Sequence, residues 1–351
     1  MLQMMKTERP MMRFDKEMSA VIKGVALIFM VFLHCYGKAQ YDVELDYSHA
    51  PIYGFFGVFK VCIGLFTFMV GFGYSFSKTK DLKYAVRHIT RLLIPFWVIL
   101  LVLTFPFCWG DVLSCGWKTV LYNMVGIDSH FNNFSWFVYF YIYAMIAMPL
   151  ISRVIDRSPV LCTIFVTVAS TLLMYAVHQV FDTQDNQPAM ALFNCLMMTP
   201  VLSLGYLFGH QHYFERINLQ RFSRWLCLVL ALVVFVTTMW VRRYWWGWNG
   251  FQFDFFFVPL LIVSLVVIFN SYELKPLRKA LAAVGNVSMY MWFFHALFFT
   301  KAVRWFYQPA ITIFNDVNLV VVWTILLTFV ISWILKRIVD TVMSRLAPNF
   351  S

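Results

Sequence analysis

The stretch KGVALIFMVFLH, residues 23–34, decides the fold. Between Lys23 and His34 stand eight apolar side chains, a Gly and an Ala. With its flanks the run reaches about 20 apolar residues, enough as a helix to cross a hydrocarbon layer of roughly 30 Å. Runs of this kind recur along all 351 residues. The chain is 61% hydrophobic and 19% aromatic, with only 13% charged residues. Soluble domains carry about 25% charge, so no single water-exposed core accommodates this composition. A β-barrel would show short alternating segments, and none occurs. The expected architecture is an all-α, polytopic integral membrane protein of about ten transmembrane helices. The expected spans are approximately 18–37, 52–76, 91–110, 134–152, 159–180, 190–210, 225–242, 252–270, 281–300 and 317–336. No cleavable signal is expected, because the first run lacks a small-residue cleavage site.

The formal charge of +11 could suggest nucleic acid. Its distribution argues for topology instead. Lys16, Lys78, Lys80, Lys83, Arg87, Arg91, Arg153, Arg157, Arg216, Lys275, Arg278, Lys279, Lys336 and Arg337 all fall on the side that carries the N-terminus. Far fewer, such as Lys38, Lys118, Lys301 and Arg304, fall opposite. The positive-inside rule then puts both termini in the cytoplasm. The expected division is a tail over 1–15, one membrane domain over 16–340 and a tail over 341–351. The seven Cys are scattered without metal-type spacing, so they read as small buried hydrophobes, and no metal is expected. Cys108 and Cys115 fall on one external loop, where pairing is an alternative.

Eleven helical residues rise about 16 Å and turn about 1100°, close to three full turns. Lys23 and His34 therefore share one face. Ionisable groups are costly against lipid and face a bundle interior or a wet cavity. Snorkelling to the surface is the plain alternative for Lys23, and a packing role for His34. In RHITRLLIP, residues 87–95, Arg87 and Arg91 stand one turn apart and can clamp a phosphate. Their plain alternative is to anchor a helix end. In GNVSMYMWFFHALFF, residues 285–299, His295 falls near mid-span, either bonded to a backbone carbonyl or bordering the cavity of His34. Lys60 interrupts the second span and needs a partner or a cavity. Asp254, with Trp248 nearby, could line a sugar site, since indole faces stack on sugars; an interfacial aromatic belt is the alternative.

These pieces together resemble the acyltransferase 3 family of bacterial integral membrane proteins. Lys23 to His34 resembles its opening signature, a basic residue and then a His closing an apolar run. GLFTFMVGFGYSFSK (64–78), RHITRLLIP, NFSWFVYFYIYAMIAMPLI (133–151) and VGNVSMYMWFFHALFF (284–299) resemble its later motifs, in order over nearly the whole chain. Two positions depart from the family pattern: Lys23 stands where Arg is usual, and Val70 where Ser is usual. The resemblance implies an O-acyltransferase of the bacterial inner membrane. It would move an acyl group, most often acetyl, from cytoplasmic acyl-CoA to a hydroxyl of a cell-surface glycan or lipid-linked precursor. Acyl-CoA would be a co-substrate, with no permanently bound cofactor. Lys23, Arg87 and Arg91 would hold it, His34 would be the general base, and His295 would orient groups or stabilise the oxyanion. A covalent acyl-His is the alternative to base catalysis. A wet shaft, open to the cytoplasm, is expected to join the arginines to His34. Chains resembling this family also include proposed polysaccharide exporters, the rival reading. The acceptor sugar and oligomeric state, a homodimer included, are left open.

Overall fold

The computed structural model describes residues 14–181, 183, 185–217, 222–244, 251–271 and 274–346. Among these, nine helices are long and apolar enough to span a membrane: Lys16–Cys35, Tyr53–Ser75, Leu82–Phe107, Trp136–Ile155, Pro159–Val180, Gln187–His210, Arg224–Tyr244, Asp254–Ser271 and Val317–Arg345. Lys275–Asn286 and Ser288–Phe298 form one further broken span, bent by 64°. The described residues thus form an all-α, multi-pass bundle of nine spans, or ten with the bent pair, which is counted here as the ninth in chain order.

Local chemistry sets the helix starts. Asp15 accepts the Met18 amide at 2.9 Å, Asp81 the Tyr84 amide at 2.8 Å and Asn186 the Ala189 amide at 3.1 Å. Each satisfies one of the amides left open by a first helical turn. The third span departs from regularity after Pro95: residues Ile99–Thr104 widen to a π-helical turn, and Thr104 Oγ1 caps the Ile99 carbonyl at 3.1 Å.

Burial sorts the spans into centre and rim. In the second and sixth spans 72% and 78% of the apolar window is buried, against 17% in the fifth and seventh, which therefore face lipid. The centre is held by close backbone approach. A β-carbon on Gly285 would overlap the Ala20 carbonyl of the first span, and one on Gly205 would overlap the Phe68 carbonyl of the second. Without hydrophobic attraction between helices in lipid, such contacts let dispersion and carbonyl packing hold the bundle. A polar lock adds to this: Lys80 donates to the Tyr206 hydroxyl at 2.6 Å, and that hydroxyl donates to Asp156 at 2.7 Å.

On the His34 side, the connection after the first span is tied to the segments before the tenth. Gln308 donates to the Gln40 and Phe298 carbonyls at 2.9 and 3.0 Å and accepts the Asp42 amide at 2.8 Å. Arg304 pairs with Asp42. This staple holds Gln40 beside His34.

Three expectations change. The ninth span is broken at Val287, which leaves the helical path between Asn286 and Ser288, where the Ser288 hydroxyl bonds the Gly285 carbonyl at 2.8 Å. The expected loop over 110–133 contains helices Trp109–Ser114 and Trp117–Met124, joined through Gly116 at a φ of +79° that favours glycine. The last helix runs on to Leu346, through the expected tail boundary at 341, since its amphipathic end continues with the Lys336–Asp340 pair one turn apart. Cys108 and Cys115 are both free thiols.

Candidate active site

A cavity of about 440 Å³ opens among the first, second, third, fourth and ninth spans. Its polar lining includes Ser19, Lys23, Tyr84, His88, Arg91 and Ser288. Residues 84, 88 and 91 recur at helical spacing, so one stripe of the third span faces the cavity. Arg91 is on that stripe. Arg87 is not part of the lining, so of the two arginines Arg91 alone borders the cavity, together with Lys23 and His88. His88 carried no readable signal in the sequence; its spacing of three residues from Arg91 is the clue that would have found it. Both departures from the family pattern, Lys23 and Val70, line this cavity.

His34 lies at the other end of the first span, buried, on the face shared with Lys23. Its ring stacks on Phe134 at 3.6 Å between centroids and stands 5.4 Å from the ring of His295. Phe134 also lies parallel to His295, at 5.4 Å and 11°. Phe134 belongs to the NNFSW segment and was not singled out from the sequence. It is fixed from both sides: Asn132 donates to the Phe293 carbonyl at 3.1 Å, and the Trp292 indole donates to the Phe134 carbonyl at 3.2 Å.

The two imidazoles differ in what holds them. His295 Nδ1 is 3.0 Å from the Met291 carbonyl, which can only accept, so Nδ1 carries the proton. In the neutral ring Nε2 is then a lone pair, buried and without a hydrogen-bond partner. A lone pair cannot stabilise an oxyanion, so the donor role expected of His295 gives way to an accepting one. His34 Nδ1 meets Gln40 Nε2 at 3.5 Å, at the outer limit of a hydrogen bond, which leaves its tautomer free.

Neither His34 nor His295 lines this cavity, so its lining does not trace the expected shaft as far as His34. Phe66, Phe137 and Trp292 line the cavity as one cluster, with ring centroids 4.9 Å (Phe66–Trp292) and 4.7 Å (Phe137–Trp292) apart. The Trp292 edge bonded to Phe134 is its link to the histidine side.

Asp254 does not serve as a free sugar ligand. Arg242 grips it bidentately, Nε to Oδ1 at 2.7 Å and Nη2 to Oδ2 at 3.1 Å, with Nη1 on the Val58 carbonyl at 2.9 Å. Both side chains are almost fully buried, which makes this a lock between the seventh, eighth and second spans. Lys60 finds its cavity partner in the Phe251 ring, 4.6 Å below the ammonium, beside the Asp254 charge. Trp248 lies outside the described residues.

A family model described as an acyltransferase domain matches residues 20–337, nearly the whole chain. The chain belongs to the acyltransferase 3 family. It is accordingly a membrane O-acyltransferase, transferring acyl groups other than amino-acyl groups. No curated protein and no solved structure matches it. The motif residues of this acyltransferase 3 protein thus gather in two places, a cationic cavity at Lys23 and a buried imidazole pair at His34.

Proposed function

We propose that this enzyme moves an acetyl group from acetyl-CoA, on the cytoplasmic side of a bacterial inner membrane, to a hydroxyl of a cell-surface or lipid-linked carbohydrate. The observation that carries this reading is the pairing of a cationic, half-open cavity with a buried imidazole pair on the same bundle axis. The positive-inside rule puts Lys23, His88 and Arg91 at the cytoplasmic end and His34 at the external end. Lys23 and Arg91 hold the CoA phosphates by charge-assisted hydrogen bonds, the Lys as a point charge and the Arg as a planar fork. The apolar walls, Val70 and Met145 among them, take the pantetheine arm.

The aromatic cluster must turn aside for the thioester to reach His34. Rotation of the Trp292 ring breaks its contact with the Phe134 carbonyl, which couples arrival of the donor to the ring stacked on His34. The acceptor hydroxyl then loses its proton to His34 as its oxygen attacks the thioester carbonyl. The C–S bond breaks, the ester C–O bond forms, and the proton passes from His34 to the departing CoA thiolate. A turn of the His34 ring toward His295, 5.4 Å away between centroids, would let its N–H donate to the unpartnered Nε2 lone pair and so position the base.

The test is transfer of radiolabelled acetyl from acetyl-CoA to the host's surface glycan by the purified protein in nanodiscs. His34→Ala is expected to abolish transfer and to leave acetyl-CoA binding intact. A wild-type protein that neither binds acetyl-CoA nor labels glycan would refute the reading and return the exporter as the better account.

A further inference from the structure

The second large cavity lies on the His34 side and has no part in the donor site. It measures about 840 Å³ and is walled by the segment 106–115 on one side and residues 301–305 on the other, with His130 and Asn133 between. Two indoles flank it, Trp109 and Trp305, and they are 55% and 62% exposed. Polar groups of three kinds face it as well: the Asp111 carboxylate, the His130 imidazole and the Lys301 ammonium.

The walls are held in place. Phe107 stacks on Phe306 at 4.2 Å, joining the two sides of the groove. Asn123 accepts the Phe131 amide at 2.8 Å, and the Asn133 amide donates to Thr300 Oγ1 at 3.0 Å. The groove is also joined through the chain to the residues around His34. Asn133 precedes Phe134, the ring stacked on His34, and Lys301 follows Thr300 two residues after Phe299, whose ring lies 6.0 Å from His34.

We propose that this groove is the acceptor subsite, and that it takes a saccharide chain laid across Trp109 and Trp305. The proposal deepens the reading above and rests on its carbohydrate acceptor. Sugar rings have an apolar C–H face that suits an indole and a rim of hydroxyls that both donate and accept. Asp111 accepts from such hydroxyls, Lys301 donates, and His130 and the Asn133 side chain do either. Large apolar walls with a few placed polar groups make an orienting site. A chain held there presents one hydroxyl past Asn133 to the imidazole pair. An interfacial belt accounts for exposed indoles alone. It does not account for a carboxylate, an imidazole and an ammonium gathered between two of them.

The probe is a fluorescently labelled oligosaccharide released from the host's surface glycan, used with the full-length protein in nanodiscs. Trp109→Ala and Trp305→Ala are each expected to raise the KM for this saccharide roughly tenfold. The KM for acetyl-CoA should not move, and Trp109→Phe should recover most of the loss. A second readout needs no turnover: Cys115 lines the same groove, and its alkylation by iodoacetamide, followed by peptide mass spectrometry, should slow when the saccharide is present. Unchanged saccharide KM in both Ala variants, with no protection of Cys115, overturns the groove while transfer by the wild type leaves the function standing. Protection of Cys115 without any acetyl transfer sinks the donor reading and keeps the groove.

Discussion

Asp254 and Arg242 give the sharpest test of structure against sequence pattern, because the sequence offers Asp254 as a sugar ligand and the structure makes it half of a buried lock. Replacing Asp254 with Ala removes two charge-assisted hydrogen bonds, at 2.7 and 3.1 Å, and leaves the guanidinium buried with the Val58 carbonyl still in reach. An uncompensated buried charge of this kind costs about 3–5 kcal/mol. That corresponds to roughly two to four orders of magnitude in the folding equilibrium. Replacing both partners, Arg242→Met with Asp254→Leu, removes the stranded charge and refills the volume. That variant should recover at least half of the loss; full recovery is not expected, since Asp254 also offsets the charge of Lys60. The assay is reversible SDS unfolding in mixed micelles, followed by circular dichroism, for the wild type, both single variants and the double variant. If the single variants match the wild type, or if the double variant is as weak as the singles, the lock is not desolvated and the reasoning fails. A stable Asp254→Asn protein with a raised saccharide KM would return Asp254 to the acceptor site.

Three further outcomes follow from the geometry. Arg91→Ala should raise the KM for acetyl-CoA by about 10-fold to 100-fold, the worth of one hydrogen bond to a charged group, whereas Arg87→Ala should leave it nearly unchanged; equal effects would restore the two-arginine clamp. Gly285→Ala should destabilise the bundle by about 1–3 kcal/mol or prevent its assembly, because the new methyl group overlaps the Ala20 carbonyl; thermal scanning by size-exclusion chromatography in detergent reads this, and an unshifted midpoint would contradict the close approach. Burial, with Asp111 and Cys115 adding to it, pushes the Cys108 thiol up to about 11. Only the thiolate alkylates, so its rate should climb about tenfold per pH unit from pH 8 to 10. A plateau near pH 9 in peptide-resolved labelling would contradict that environment.

The sequence by itself determined the all-α membrane class and about ten spans, because each is written in a local run of apolar residues that must satisfy its own backbone in lipid. It also placed Lys23 and His34 on one face, since helical spacing is arithmetic. What surrounds that face was decided only by tertiary structure. Phe134 and His295 are 161 residues apart in number, yet their rings stack; no period in the chain links them. Arg87 and Arg91 look equivalent on a helical wheel, and only the neighbouring spans determine that Arg91 borders the cavity and Arg87 does not. Asp254 and Lys60 read alike as isolated charges in apolar runs, and only packing gave one a guanidinium and the other an aromatic face. The cluster of Phe66, Phe137 and Trp292 draws on three spans, each contributing a ring that reads locally as ordinary core. A cavity wall built from one residue per helix leaves no trace in any single segment, because a wall is a property of their meeting.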